Sequence, residues 1–229
     1  MDANEEGVIR RVAGVAYAAG SDTTAISLQN AILAMVVYPE TQRKAQAELD
    51  VVVGNGRLPD FSDRDSLPYT EAFFREVLRW APVTPLALVH ATSSDDVYNE
   101  YFIPAGATVF GNSWAILHDD RTYKEPEKFN PDRFLHADGT LKDNFPISAF
   151  GFGRRICPGR HVAGASVWAA IASVLSMFDI GRARDEAGQE IPVDVEYTDG
   201  LLSHPLPFKC CISPRSVASI AIIQGSASA

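Results

Sequence analysis

One ten-residue stretch constrains this chain more than any other: FGFGRRICPG at positions 150–159, followed from Arg160 by a long apolar pattern of helical period. Glycines let a backbone enter positive φ and approach a ligand closely. The start of a helix, together with Arg154 and Arg155, supplies the positive potential that favours a thiolate. Cys157 in that setting suits a metal ligand. On these residues alone the alternative is a free cysteine packed as a small hydrophobe. The pattern that follows sets Val162, Ala163, Val167, Ala170, Ile171, Val174, Leu175 and Phe178 on one helical stripe. Its alanines and glycines would let such a helix lie close against a flat ligand.

Composition bounds the rest. The chain has 229 residues, 46% of them hydrophobic, which suits a globular core and leaves disorder unfavoured. A net charge of −9 argues against nucleic acid, whose partners present a basic face. Cys157, Cys210 and Cys211 are odd in number and two are adjacent, so they form no disulfide framework and point to a reducing compartment. No run of about eighteen apolar residues signals a membrane-spanning helix. The acidic, polar first residues are unlike a signal peptide, and no internal repeat is present.

In chain order, residues 5–37 read as helix, with Pro39 as a stop. Within them Ala19-Gly20-Ser21-Asp22-Thr23-Thr24 contradicts a plain helix, because these side chains compete for backbone groups. Either the helix ends there, or a distortion is kept because something needs the space and the hydroxyl. Residues 39–53 read as a second helix, opened by Pro39 and ended by Gly54-Asn55-Gly56. Pro68 opens a third, residues 69–80, with Phe73, Phe74, Val77 and Leu78 as its apolar stripe. There Glu76 and Arg79, at i,i+3, share a face and can pair; in isolation such a pair is usually a solvated surface contact. Residues 86–92, 97–103 and 108–112 are short apolar or alternating runs and read as a small sheet of hairpins. Residues 112–118 suggest a short capped helix. The chain is polar and turn-rich from 181 to 200, and residues 206–212 suggest a last strand kept to an edge by Pro207. The expected organisation is a domain over 1–215 and a poorly ordered Ser/Ala-rich tail over 216–229.

The order F-x-x-G-x-R-x-C-x-G at 150–159 resembles the haem-binding loop of the cytochrome P-450 family, the haem-thiolate monooxygenases. In those enzymes a Cys thiolate holds the haem iron, and its electron density favours O–O cleavage. Three further segments resemble that family in the expected order. Ala19-Gly20-Ser21-Asp22-Thr23-Thr24 is similar to the oxygen-binding kink of its long central helix, and Glu76-Val77-Leu78-Arg79 to its E-x-x-R signature. Phe129-Asn130-Pro131-Asp132-Arg133-Phe134 is similar to the F-x-P-x-R-F segment that completes that signature.

The resemblance, of the fungal or microsomal type, covers residues 5–215 and implies a mainly α fold with a small β-sheet (α+β). It implies haem b bound within the loop of Phe150, Gly153, Arg155, Cys157 and Gly159, with Cys157 as the proximal iron ligand. Arg155 would meet a propionate in a guanidinium–carboxylate fork. His90 occupies a position where the family often places a second propionate partner, although a lone histidine is usually an ordinary surface residue. Gly20 would admit dioxygen, Thr23 would stabilise the activated oxygen and Asp22 would relay protons, with Thr24 structural. Glu76, Arg79 and Arg133 would hold the meander to its helix.

Residues 83–88 would line a pocket for a small apolar substrate, into which one atom of O2 is inserted. Electrons would come from an NADPH-cytochrome reductase, steered by Arg154, Arg160, His161 and Lys128. A full-length relative would sit on the cytosolic face of the endoplasmic reticulum membrane through an anchor outside this chain. Family members are about twice as long, so the resemblance implies a C-terminal portion with a half-enclosed haem site and a loosely held haem. Two alternatives stand beside the monooxygenase: a catalytically silent fragment with weak or no haem binding, and a haem-thiolate isomerase or peroxygenase, which would not need the Asp22–Thr23 relay.

Overall fold

The computed structural model describes residues 3–226 and begins with a 35-residue helix, α1 (Ala3–Val37). The helix runs unbroken through residues 19–24, where the sequence suggests an end or a distortion. The reason lies in the hydroxyls: Thr23 Oγ1 donates to the Ala19 carbonyl (2.7 Å) and Ser27 Oγ to the Thr23 carbonyl (3.0 Å). Such back-bonding satisfies the side chains without removing the helical ladder. The two halves of α1 differ in surroundings. Val12 and Val15 are 62% and 69% exposed, whereas Ile26, Ala34 and Met35 are fully buried.

Pro39 and Pro68 each stand in a first turn, where the missing N–H costs nothing, and open α2 (Pro39–Val52) and α3 (Pro68–Trp80). No side chain at Leu67 caps α3; Glu48 of α2 does so instead, accepting from Tyr69 N (2.7 Å), Thr70 N (2.8 Å) and Thr70 Oγ1 (2.8 Å). The second half of α1 packs with α2, α3 and α5 (Arg160–Met177) around one apolar core. Its aromatic centre is Phe129, whose ring lies 4.9 Å from Phe73, 5.5 Å from Trp80 and 5.8 Å from Tyr38. The short helix α4 (Ser113–Leu117) is capped by Asn112, whose side chain accepts from Ala115 N at 2.9 Å.

The strands form three separate two-stranded antiparallel ribbons rather than one small sheet. β1 (His90–Ala91) pairs with β4 (Thr108–Val109), and β2 (Asp96–Tyr98) with β3 (Tyr101–Ile103) through a turn in which Asn99 and Glu100 both take positive φ. Val97, Tyr98, Tyr101 and Phe102 are exposed, so no common apolar face draws these ribbons together. Residues 86–89 belong to no strand, and Ala87 there takes φ 54°.

The third ribbon contains an element that sequence reading missed. β5 (Phe178–Arg182) follows α5 without a break and pairs with β6 (Cys210–Pro214), which lies further along than the strand expected at 206–212. Local pattern could not reveal β5, because α2 helps to make it. Gln42 exchanges both amide hydrogen bonds with the Ile180 backbone (2.7 and 2.9 Å), and Gln46 Nε2 donates to the Phe178 carbonyl (3.0 Å). The expected disordered tail also needs correction: α6 (Val217–Ser226) occupies its described part. Ser216 Oγ caps that helix by accepting from Ser219 N (3.0 Å), and α6 packs on α5 and β6. Residues 227–229 of that tail lie outside the described residues. Among the described residues, no helix is long and apolar enough to cross a membrane.

The connection between α2 and α3 carries an ion pair with a readable pH signature. Arg57 clasps the Asp63 carboxylate through two 2.7 Å bonds, and Asp60 N donates to it at 2.9 Å. The hydrogen-bonded guanidinium, then the backbone amide, lower the Asp63 pKa to about 2. A carboxylate depressed in the folded state stabilises it above the unfolded value and loses that contribution as pH falls through the folded value. The thermal midpoint of Asp63→Asn is therefore expected to lie below wild type from neutral pH to about pH 4. The gap should then close towards pH 2, as read by calorimetry across that range.

Candidate functional site

Two of the glycines around Cys157 are required by backbone geometry. Gly151 has φ 86° and Gly153 φ 56°, the left-handed region that side chains disfavour. Between them the chain turns so that Cys157 N donates back to the Phe150 carbonyl at 2.8 Å. The approach to the loop is anchored twice: Ser113 Oγ of α4 donates to the Ser148 carbonyl (2.8 Å), and the Phe150 ring stacks on Phe145 at 6.3 Å. Gly159 is different. Its backbone is ordinary, and a Cβ there would sit 3.8 Å from Cys157 Sγ in normal contact. Cys157 is half-buried just ahead of α5, and Arg160, the first residue of α5, donates from Nη1 to the Cys157 carbonyl (3.3 Å).

Of the other residues singled out from sequence, Gly20, Asp22 and Thr23 lie on α1 and His90 on β1. Gly20 lies on an exposed turn of α1, with nothing within 4 Å of where a Cβ would point. Thr23 is half-buried with its hydroxyl proton given to Ala19, so it must release that bond before it can donate elsewhere. Among the described residues no hydrogen bond joins Asp22 to Thr23; the Asp22 carboxylate instead lies 3.7 Å from His204 Nε2, in the loop before β6. His90 and Arg155 are both exposed and have no ion-pair partner among the described residues. Sequence reasoning missed His204, because nothing local to the loop signals proximity to a helix about 180 residues earlier.

The donor set fits a haem. Among the described residues no group of three or more His, Cys, Asp or Glu side chains could hold a metal ion. In the loop, the half-buried Cys157 thiol stands as a single donor, the kind of ligand a haem iron takes. Arg155, two residues away and unpaired, matches a carboxylate such as a propionate.

The Glu76, Arg79 and Arg133 side chains come together in one buried network. Arg79 grips both Glu76 oxygens, from Nε (2.7 Å) and Nη2 (2.9 Å), and Arg133 Nε adds a third bond at 3.0 Å. Asn130 N donates a fourth at 2.8 Å, a contact with no side-chain signal in the sequence. The arginines spend their other donors on carbonyls: Arg79 on Leu117 (3.0 Å) and Lys128 (3.4 Å), Arg133 on Lys124 (2.9 Å), Glu125 (3.3 Å) and Lys128 (3.1 Å). Neither Glu76 nor Arg79 has exposed surface. Beside them His118 is buried and stacked on Trp114 at 4.4 Å, and burial holds its pKa below the ordinary imidazole value. Truncating one partner of a buried ion pair strands the other. Glu76→Gln is therefore expected to cost about 3–5 kcal/mol in urea denaturation. Arg133→Ala, at the 9%-exposed rim of the network, should cost less.

The comparisons with known proteins identify a family. Residues 4–212 match the family model described as Cytochrome P450. A cytochrome P450 monooxygenase of Armillaria gallica is 50% identical over 218 residues, covering 95% of this chain and 43% of that protein. Cytochrome P450 monooxygenase 98 of Postia placenta is 49% identical over 226 residues, covering 96% and 44%. Cytochrome P450 monooxygenase claR of Ampulloclitocybe clavipes is 44% identical over 225 residues, covering 98% and 42%. The chain thus spans less than half the length of these curated relatives. With a family match over nearly its whole length and this identity to several fungal members, the chain belongs to the cytochrome P450 family.

Proposed function

We propose that this chain supplies the haem-thiolate centre of a monooxygenase that inserts one atom of O2 into a small apolar substrate, using electrons from a reductase. The observation that carries this reading is the Cys157 loop: a lone half-buried thiol ahead of a helix, in a turn that Gly151 and Gly153 make possible. Haem b, when bound, supplies the oxygen-activating redox chemistry. The protein's own part is to hold and orient. Cys157 provides the thiolate, and its N–H bond to Phe150 fixes the loop that presents it. Arg155 would offer an exposed guanidinium and His90 an exposed imidazole N–H to the propionates. Open space at Gly20 leaves room for dioxygen beside α1. Thr23 offers a hydroxyl once it turns from Ala19, and Asp22 would relay protons to it.

Leu86 and Leu88, at 50% and 62% exposed, present apolar surface in the segment assigned to substrate. The reductase, of the NADPH-cytochrome type, would meet Arg154 and His161, which are exposed and unpaired. Lys128 is partly engaged by Glu125 at 3.1 Å, and Arg160 by the Cys157 carbonyl. In the whole protein, the site would face the cytosol at the endoplasmic reticulum membrane.

The test is spectroscopic. The purified chain loaded with haem, reduced and treated with carbon monoxide, is expected to show the thiolate-ligated Soret band. Cys157→Ala should abolish that band with far-ultraviolet circular dichroism unchanged, and Arg155→Ala should release haem severalfold faster. A band that survives Cys157→Ala would overturn the assignment.

A further inference from the structure

The loop between β5 and β6 reaches back to α1 at the residue assigned to proton relay. His204 is pinned by its own backbone: its N–H donates to Thr198 Oγ1 (3.1 Å) and its carbonyl accepts from Thr198 N (2.8 Å). Next to it, Ser203 N donates to the Val83 carbonyl (2.9 Å), tying the loop to the segment assigned to substrate. The imidazole so placed puts Nε2 3.7 Å from Asp22 Oδ2, and among the described residues no lysine or arginine lies within 4 Å of that carboxylate. The two side chains are 37% and 52% exposed. A contact of this length is an ion-pair distance rather than a direct hydrogen bond, and one bridging water or a small side-chain rotation spans it. An exposed pair of this kind adds little stability. Its use is positional, because a half-exposed carboxylate with no partner beside it is free to turn to solvent.

We propose that His204 is a positioning residue for Asp22, holding the carboxylate against the 199–204 loop instead of leaving it to solvent, so that the proton relay keeps one orientation. The assignment rests on the monooxygenase reading above and adds a partner to it. The C-terminal loop and the proton relay become one unit: whatever moves residues 199–204 moves the orientation of Asp22.

The contact is tested first without haem or turnover. The chain has five histidines, and selective carbon-13 labelling of their rings gives separate cross-peaks, with His204 identified by its loss in His204→Gln. Asp22→Asn is expected to shift the His204 peak and leave the other four in place; an unmoved His204 peak would remove the pair. The role is then read in the haem-loaded full-length protein supplied by its reductase. Poor proton placement lets two electrons and two protons leave on O2 as hydrogen peroxide instead of forming product and water. His204→Gln should raise the peroxide released per electron pair severalfold, with substrate KM little changed, and His204→Lys, which places an ammonium within reach of the carboxylate, should restore coupling. A His204→Gln protein that wastes no more than wild type would overturn the positioning role. Absence of the thiolate band would instead overturn the parent reading, and it would do so whether or not the His204 peak responds to Asp22.

Discussion

A carboxylate with no exposed surface is costly to hold in a protein interior unless its oxygens are matched by cations and donors. Glu76 is matched in full: four bonds reach its two oxygens, from two arginines and one backbone amide. The arginines in turn are spent on carbonyls of residues 117, 124, 125 and 128. The carboxylate is thereby a knot through which α3 holds the coil that leads towards the cysteine loop. That coil has almost no regular structure of its own, so its backbone groups need partners from elsewhere. The two guanidinium forks supply them. Tyr123 lies under both cations, at 5.4 Å and 6.0 Å, and closes the network on the solvent side.

The same economy recurs where α2 meets its neighbours. Gln42 and Gln46 behave as extra strand for β5, and Glu48 caps α3 from the adjacent helix. Polar side chains on one helix thus complete backbone that another element leaves open, which reduces the cost of burying that backbone. Around these bonds the aromatic cluster of Tyr38, Phe73, Trp80 and Phe129 fixes how α1, α3 and the coil approach one another. A rigid frame of this kind is what a ligand-binding loop requires, since the loop itself is glycine-rich and has little stiffness.

Much of the frame was legible beforehand. Pro39 and Pro68 announce α2 and α3, Asn112 announces the cap of α4, and the stripe from Val162 announces α5, although Phe178, expected on that helix, opens β5 instead. The glycines at 151 and 153 announce a left-handed turn, and both adopt one. The misreadings share a cause. Residues 19–24 look like a helix break, yet the helix continues through them, and the Thr23 hydroxyl bonds four residues back to the Ala19 carbonyl instead of opening the ladder. β5 contains Gly181 and Asp179 and looks like loop, yet β6 and the α2 amides make it a strand. The Ser/Ala-rich end looks unstructured until Ser216 caps a helix that has α5 and β6 to lie against.

By itself, the sequence determined the chemistry at each position and the spacing along the chain. That is enough for a thiol in a glycine turn before a helix, for a carboxylate and guanidinium one helical turn apart, and for family membership, because these are short-range patterns carried by side-chain identity. Only the tertiary structure decided which backbone carbonyls complete the arginines, that Thr23 spends its proton on Ala19, that the ribbons stay separate, and that His204 rather than Thr23 faces Asp22. Backbone groups are chemically alike at every residue, and contacts across long stretches of chain depend on how elements pack. Neither leaves a mark in the local order of amino acids.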